Sequence, residues 1–341
     1  MLKGSGAQPG DVALAPSILG TGRYLPETVL SNAALEQLFD TSDEKIIALT
    51  GIRERRIATR YTGPQGSLPS LLYEEISRDE TPAAMGAVAA LQALREANTL
   101  PDQIRYIVVG TNSPDQLYPA TAIKIQRYLG AEQAVGFDLQ AGCTAFIFAL
   151  ATACRYLIAD RWMHGSSPLA LVVGTDCMSR TISREDRTAS TMFGDGAGAV
   201  VLGFHPERVV LRTVLHSAYS DTLMLDTQFQ AGHGEAFREK REPSYLRMNG
   251  KAVFRQAPKL MVEALQEVLK EEGLSAGDLR YVITHQTNIR MIRRVAEMLQ
   301  MDMAHFIPVS SATETPRLLP CPSPCTRPVM STALPPVTTS P

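Results

Sequence analysis

The sequence predicts an α/β protein with a mostly parallel sheet, because short apolar segments alternate with longer segments of helical periodicity. Helices are predicted over residues 81–97 and 142–159, where apolar residues recur at helical spacing among strong helix formers. Buried strands are predicted at 105–112, 134–140, 168–176 and 198–205. This alternation is typical of sheets in which helices connect parallel strands.

An internal repeat divides the chain into two similar halves. Residues 94–112 and 269–287 align without a gap, with Leu, Arg or Lys, Glu, Ile or Leu, Arg and Tyr in register. Each copy has the pattern of a helix, a turn and a buried strand. We interpret the repeat as a gene duplication that gives an N-terminal half over 1–205 and a C-terminal half over 206–307, with a site between them.

Composition and charge exclude several classes of function. The 341 residues include 33 Lys and Arg against 35 Asp and Glu, so we expect no nucleic-acid partner and no anionic membrane surface. We also expect no membrane span and no signal peptide, because no apolar run approaches the ~18 residues that a span needs. The five Cys show no metal-ligand or disulfide spacing. These features predict a cytoplasmic protein with reduced thiols, no metal and no bound cofactor.

Cys143 lies where a predicted strand turns into a predicted helix. A thiol at a helix N-terminus feels the helix dipole and free backbone N–H groups, which favour the thiolate and can stabilise an oxyanion. The alternative is a buried structural Cys, the role that we expect for Cys154 and Cys177. Small residues around Cys143 leave room for a substrate and favour the nucleophile: Ala141, Gly142, Thr144 and Ala145.

His285 ends the predicted strand of the second repeat copy, at the position equivalent to Gly110 in the first. Loops at strand ends of two similar halves can converge, so we expect His285 and Cys143 to share a site. The alternatives are a core or cap role for His285 and an N-cap role for Asn288. The Gly-rich segment 193–203 lacks the Lys of a phosphate-binding loop.

Six motifs occur in a specific order along the chain. They are LGTGRYLPETVLSN, TGIRERRIA, the segment around Cys143, FGDGAGAVVLG, RMNGKAVF and THQTN. From about Ser17 to Ile307 the sequence therefore resembles the β-ketoacyl-acyl carrier protein synthase III family, the initiating condensing enzymes of the thiolase superfamily. The resemblance implies a thiolase-like fold with two duplicated α/β halves in a five-layered αβαβα arrangement.

The resemblance also implies an activity, decarboxylative condensation of an acyl thioester with malonyl-acyl carrier protein. Cys143 matches the acyl-accepting nucleophile, and His285 matches the His that, with an Asn, stabilises the enolate. Arg187 matches a residue near the coenzyme A adenine, Asn249 matches a residue of the pantetheine tunnel, and Asn288 belongs to the same substrate-binding set. The implied partners are an acyl carrier protein, a coenzyme A thioester and a second copy of the chain.

Two positions depart from family members that use acetyl-coenzyme A. Such members carry Trp and Arg on the helix before TGIRER, where this chain has Lys45 and Leu49. Loss of the stacking ring and the guanidinium predicts an acyl-carrier or non-acetyl donor. The starter group, and the choice between fatty acid and polyketide synthesis, stay open.

The Pro-rich segment 308–341 is predicted to be disordered, and it lacks the GNTSAAS-type motif that carries the family's catalytic Asn. A one-base shift with allowed codons rereads residues 312–328 as RYGNTSAASLPLALHEA, so we infer a frameshift near Ser310. Two alternatives follow, an acyltransferase that transfers the group from Cys143 without condensation, or an inactive truncated homologue. HMG-coenzyme A synthase shares the fold and the Cys but fits the THQTN segment less well.

Overall fold

The N-terminal half is built around a five-stranded sheet in the order β1-β7-β6-β4-β5. The computed structural model describes residues 16–205, 212–225, 245–286 and 288–307. The strands are β1 (Pro16–Tyr24), β2 (Val29–Ser31), β3 (Glu54–Arg56), β4 (Ile104–Gly110), β5 (Val135–Leu139), β6 (Leu169–Cys177), β7 (Asp195–Phe204), β8 (Leu223–Met224) and β9 (Arg247–Met248). The helices are α1 (Asn32–Glu36), α2 (Asp43–Thr50), α3 (Ser70–Arg78), α4 (Pro82–Glu96), α5 (Thr121–Leu129), α6 (Ala145–His164), α7 (Arg187–Ser190), α8 (Gly250–Glu271) and α9 (Ile289–Leu299).

The sheet is mixed, so the prediction of mostly parallel strands is only half right. Strand β4 runs parallel to β5 and β6, whereas β7 runs antiparallel to β6 and to β1. Parallel neighbours need a long crossover, which α5 and α6 provide. The connection from β6 to β7 contains only short helical turns and does not cross a face of the sheet. Strand β7 therefore runs antiparallel to β6.

Alternating side chains of the central strands bury two separate faces of this sheet. Ile107 and Val109 point into a cluster with residues of α4 and α5, while Val108 and Val172 point into a cluster with residues of α6. Both faces are fully covered, which explains why these strands read as continuous apolar runs rather than as alternating patterns. The described N-terminal half therefore has three layers, helix, sheet and helix.

Helix α4 is the most completely buried of the helices on the first face. Thr81 caps it by accepting a hydrogen bond from the backbone N–H of Ala84, and Pro82 occupies the first turn, where its missing N–H costs nothing. Nearly every side chain from Pro82 to Ala90 is buried, and most of them are Ala. Small side chains allow the helix to approach the sheet closely, and a Cβ on Gly22 of β1 would lie 2.0 Å from the carbonyl oxygen of Ala89.

The expectation that no apolar segment reaches the length of a membrane span is wrong, because the segment that contains α6 reaches it. The stretch Gly142–His164 is long and apolar enough by length and composition, and half of its apolar window is buried inside the molecule. A helix that is apolar on all sides is also typical of a central layer in a folded core. Its contacts with β4 and β6 place it there.

The C-terminal half is represented by α8, α9 and a smaller apolar cluster between them. Leu265 and Val268 of α8 pack with Ile292 and Val295 of α9 in this cluster. The predicted strand before His285 is wrong for the described residues, where Val282 forms only an isolated parallel bridge with Phe306. A strand requires hydrogen-bonded neighbours along its length, and the described part of this half supplies one bridging residue.

The two repeat copies nevertheless share their helix and turn. Helices α4 and α8 end at Glu96 and Glu271, 175 positions apart, and short 3₁₀ helices begin at Pro101 and Ala276 with the same offset. The division at residues 205 and 206 stays a prediction, and the segment 308–341 lies outside the described residues.

Candidate active site

Three parallel strands end side by side and carry the turn that holds Cys143. After β5 the chain reaches Gly142, whose φ of +57° lies in the left-handed region that glycine adopts without strain. Cys143 follows in a single 3₁₀ turn, Gly142–Thr144, directly before α6. At the end of β4, a Cβ on Gly110 would lie 2.6 Å from the carbonyl carbon of Ala145. A glycine there allows the start of α6 to lie directly against the sheet.

Cys143 differs from the expected thiolate. The pKa of its thiol is raised to about 11, chiefly by burial and in lesser part by the nearby Asp176 carboxylate, while a hydrogen bond from the backbone N–H of Cys143 itself lowers it. The expectation that the helix N-terminus would dominate is therefore wrong for the free protein, because desolvation of the charged form outweighs it. At neutral pH the group is a thiol, and it would have to lose its proton to act as a nucleophile.

His285 lies in an irregular segment that Gln286 holds in place. The Gln286 side-chain amide donates to the carbonyl oxygens of Thr284 and Ile307, both at 3.0 Å. Burial lowers the pKa of His285, so the ring is neutral near pH 7. Its Nε2 atom is buried and has no hydrogen-bond partner among the described residues. A neutral imidazole with an uncommitted nitrogen is suited to bind an oxygen of a bound substrate.

Cys143 and His285 line one cavity of about 410 Å³. Its walls come from both halves of the chain and are largely apolar. Apart from the polar groups treated below, the wall consists chiefly of Ile46, Leu49, Met192, Phe193, Leu223, Met248, Val253, Phe254, Ala257, Met261 and Met291. The cavity expected between the two halves is therefore present, with a thiol from one half and an imidazole from the other.

Arg187 and Asn288 also line this cavity. The Arg187 guanidinium donates to the backbone carbonyl of Asp40 at 2.9 Å, which holds it against the segment before α2. Asn288 caps α9, its side-chain oxygen accepting from the backbone N–H of Arg290 at 2.8 Å. The cap alternative for Asn288 is thus correct, and its position at the cavity keeps the substrate-binding prediction open.

Asn249 lies at the start of α8, and its predicted substrate-binding role stays a prediction. Its side-chain oxygen caps α8 by accepting from the backbone N–H of Ala252 at 3.1 Å. Its neighbours Met248 and Gly250 line the cavity, but Asn249 itself is absent from the cavity wall. The geometry therefore gives Asn249 a capping contact at the start of α8.

Lys45 and Leu49 lie on α2 and line the same cavity. Leu49 is 54% exposed, so its side chain borders the cavity and also faces solvent. Ser42 caps α2 and Gly51 ends it in the left-handed region. The two departures from the family pattern thus occur at residues that a bound donor can reach.

Sequence reasoning missed a polar cluster next to the nucleophile turn. Asp176, at the end of β6, accepts hydrogen bonds from Thr111, Asn112 and Ser113, which follow β4. Functional groups of α/β proteins often lie at the carboxyl ends of parallel strands, and these residues occupy that edge. That rule could have pointed to these residues from the sequence. It could not have shown that they form hydrogen bonds with each other, because the partners are more than 60 positions apart.

Comparison with known proteins gives the chain its family. The family model for 3-oxoacyl-[acyl-carrier-protein (ACP)] synthase III matches residues 137–218. The β-ketoacyl-[acyl-carrier-protein] synthase III of Actinobacillus pleuropneumoniae serotype 5b is 37% identical over 290 residues, covering 85% of this chain and 83% of that protein. The chain belongs to the β-ketoacyl-acyl carrier protein synthase III family.

Solved structures of synthase III enzymes have the same fold. The 3-oxoacyl-[acyl-carrier-protein] synthase III from Aquifex aeolicus VF5 is 32% identical with a TM-score of 0.66, covering 86% of this chain and 83% of its own. The priming β-ketosynthase of the R1128 polyketide biosynthetic pathway is 31% identical with a TM-score of 0.67, covering 87% and 82%. These similarities confirm the predicted thiolase-like fold class and the predicted membership of the synthase III family, a family of enzymes.

Proposed function

We propose that this chain is an acyltransferase that condenses an acyl thioester with malonyl-acyl carrier protein and releases CO₂, initiating fatty acid or polyketide synthesis. The observation that carries the proposal is the shared cavity of Cys143 and His285, in which the imidazole Nε2 is uncommitted. The names of the relatives, synthases acting with an acyl carrier protein, support the same reaction.

In the first step Cys143 accepts the acyl group. The sulfur of Cys143 forms a bond to the acyl carbon, the thioester bond of the donor breaks, and the thiol proton leaves with the departing thiolate. Because the Cys143 pKa is raised, proton loss accompanies attack rather than preceding it. The apolar wall supplied by residues such as Phe193 and Met261 suits the hydrocarbon part of an acyl chain.

In the second step the malonyl thioester loses CO₂. The electron pair of the broken carbon–carbon bond forms an enolate, whose oxygen accepts a hydrogen bond from the neutral His285 ring. The nucleophilic carbon then attacks the acyl carbon, and the sulfur of Cys143 leaves and takes up a proton. A neutral ring suits this role, since the lowered His285 pKa keeps it uncharged before the enolate forms.

Both thioesters are proposed to reach Cys143 on phosphopantetheine arms, from an acyl carrier protein or from coenzyme A. Three cationic side chains line the cavity with the reactive groups, Lys45, Arg187 and Arg290. Cations of this kind can pair with the phosphate groups that such arms carry. The reaction requires no bound cofactor in this proposal.

The test uses malonyl-acyl carrier protein labelled at its free carboxyl group. Acylated protein is expected to release labelled CO₂ together with a β-ketoacyl product, and Cys143→Ala to release neither above background. Formation of an acyl-Cys143 adduct that passes to a hydroxyl, an amine or a carrier without CO₂ release would overturn condensation and favour simple acyl transfer. Absence of any adduct would indicate an inactive homologue.

We further propose a cytoplasmic homodimer. Strand β5 forms one edge of the five-stranded sheet, and its first residue, Val135, is 48% exposed. Tyr156 of α6 stacks on Tyr106 beside this edge and is itself half-exposed. An exposed apolar edge strand is suited to pair with a second copy. Val135→Lys is expected to shift the protein from dimer to monomer in light scattering, whereas an unchanged mass would exclude this edge.

A further inference from the structure

One side chain connects the nucleophile turn to the neighbouring strand ends. The amide nitrogen of Asn112 lies 3.1 Å from the carbonyl oxygen of Gly142 and 3.1 Å from Oδ2 of Asp176. Both atoms accept hydrogen bonds, and one amide group carries the two N–H donors that they need. The Asn112 side chain thus links Gly142, the residue directly before Cys143, to Asp176 near the end of β6.

The Asp176 carboxylate is held in a fixed position by several donors. It accepts from the backbone N–H groups of Asn112 at 2.7 Å and Ser113 at 3.1 Å, and from the Ser113 hydroxyl at 2.9 Å. The Thr111 hydroxyl adds a longer contact at 3.2 Å. Among these described contacts, the Asn112 side chain alone also reaches the nucleophile turn. The carboxylate is therefore a rigid anchor, and the amide transmits its position to Gly142.

The turn needs such an anchor because its backbone geometry is not that of a helix. Ala141 has φ −148° and ψ 37°, and Gly142 is left-handed, so neither residue continues β5 or starts α6. A free Gly142 carbonyl could rotate together with the peptide plane that it shares with Cys143. A hydrogen bond from the half-buried, carboxylate-held amide of Asn112 to this carbonyl restricts that rotation, and with it the direction of the Cys143 side chain.

We propose that Asn112 is a positioning residue for Cys143, acting by tying the carbonyl of Gly142 to the carboxylate of Asp176. Asn112 is not a wall residue of the cavity, so its proposed role acts through the turn that carries Cys143. The inference rests on the proposed function in one respect only, the assignment of Cys143 as the acyl acceptor. Its effect belongs to the chemical step of acyl transfer rather than to donor binding.

The electrostatics agree with this arrangement. Asp176 is one of the groups that raise the Cys143 pKa, so its charge opposes the thiolate. Every donor to Asp176, including the Asn112 amide, spreads that charge. A carboxylate placed where it disfavours the reactive form of the nucleophile requires a compensating benefit, and a fixed turn supplies one.

The first test compares Asn112→Ala with Ser113→Ala. Both variants remove a side-chain donor to Asp176, but only the first removes the contact with Gly142. Hydrogen exchange of a peptide spanning residues 140–146 is expected to be about tenfold faster in Asn112→Ala, corresponding to one lost hydrogen bond, and close to wild type in Ser113→Ala. Equal acceleration in both variants would show that Asp176 alone matters and would overturn the proposal.

The second test measures acyl transfer to Cys143 over a range of donor concentrations. A misplacement of the nucleophile is expected to lower kcat by about tenfold to hundredfold with KM unchanged. Asn112→Asp, which keeps the shape but replaces the donor by an acceptor, is expected to reproduce the loss. A change in KM with constant kcat, or a wild-type rate in either variant, would contradict the positioning role.

The two tests separate failure of this inference from failure of the proposed function. If the wild-type protein transfers no acyl group, the proposed function fails, yet hydrogen exchange still measures whether Asn112 holds the turn. If neither Asn112 variant folds, as judged by thermal melting, Asn112 is a structural residue and the proposal is wrong.

Discussion

The two copies of the repeat begin alike and end differently. In the first copy, α4 and a 3₁₀ turn lead into β4, an interior strand of the five-stranded sheet that pairs with β5 and β6. In the second, α8 and an equivalent 3₁₀ turn lead into a segment with a single bridge at Val282. Even the turn chemistry matches, since the side chains of Gln103 and Asp278 each accept from the backbone N–H three residues earlier, at 2.8 Å.

The difference shows which structures a local sequence can specify. A helix and a capped turn satisfy their backbone groups with nearby residues, so similar segments form them in either half. A central strand depends on neighbours far away in sequence, which β5 and β6 provide for β4. In the second copy, the described residues provide only one strand-like partner for this segment, Phe306, which bridges to Val282.

The largest expected effect concerns the nucleophile that the first half supplies. Cys143→Ala should abolish the acyl adduct and lower turnover by roughly 10⁴-fold or more, the scale seen when a covalent nucleophile is removed. Cys154→Ala is the matched control, since Cys154 lies on α6 and is buried in the cluster between α6 and the sheet. Mass-spectrometric mapping after incubation with acyl donors checks this. An adduct on Cys154, with Cys143 unmodified, would show that the nucleophile is misassigned.

The next effect tests why the second copy lacks a strand. Restoring the reading frame near Ser310 should return the motif with the missing Asn, and we expect condensation about 10²–10³ faster because a second oxyanion donor is present. Cooperative melting and dimer formation should also improve. Both forms are expressed and assayed for malonyl-dependent product. Equal melting and equal rates would mean that the segment after Ser310 is native and that its role lies elsewhere.

A smaller effect concerns donor choice at α2, which contacts α9 of the other half. Lys45 and Leu49 should make acetyl-coenzyme A a poor donor, by about tenfold to hundredfold relative to an acyl-carrier or longer acyl donor, because base stacking is lost. Specificity constants across a donor panel provide the measurement. The Lys45→Trp, Leu49→Arg double variant should narrow the gap, and acetyl-coenzyme A as the best wild-type donor would refute the idea.

The smallest effect compares equivalent positions of the two copies directly. Val108 is fully buried in β4, whereas Ile283, 175 positions later, is 41% exposed. Val108→Ala should cost about 2 kcal/mol in free energy of unfolding, from lost apolar burial and a cavity, and Ile283→Ala less than about 0.5 kcal/mol. Chemical denaturation measures both. In the frame-restored chain, Ile283→Ala should lower the free energy of unfolding by more than it does in the original chain. An unchanged small effect would contradict the idea that the segment after Ser310 restores the strand that contains Ile283.

Much of the N-terminal fold was predictable because its signals are local. The apolar runs that became β4 and β6 and the capped start of α4 at Thr81 can be read from the sequence. The direction of β7 could not be predicted, since periodicity carries no information on strand orientation. The bridge from Asn112 to Asp176 was missed for a similar reason, because it depends on two strand ends that meet only in the folded chain.

The site was predicted in its reactive groups but not in its electrostatics. The motif order led to Cys143 and His285, and the structure brings both to one cavity. The motif around Asn249 also encodes a helix cap, and the substrate-binding role of this residue stays a prediction. The raised pKa of Cys143 depends on burial and on Asp176, neither of which neighbouring residues in the sequence can show.

The raised pKa of Cys143 also affects how this thiol reacts with oxidants. Peroxides and electrophiles react with the thiolate form of cysteine, and its fraction at neutral pH falls tenfold for each unit by which the pKa exceeds the ordinary value. A nucleophile stored as a thiol in an apolar cavity resists conversion to sulfenic acid between turnovers. The burial that raises the Cys143 pKa is therefore expected to slow the reaction of this thiol with peroxides as well.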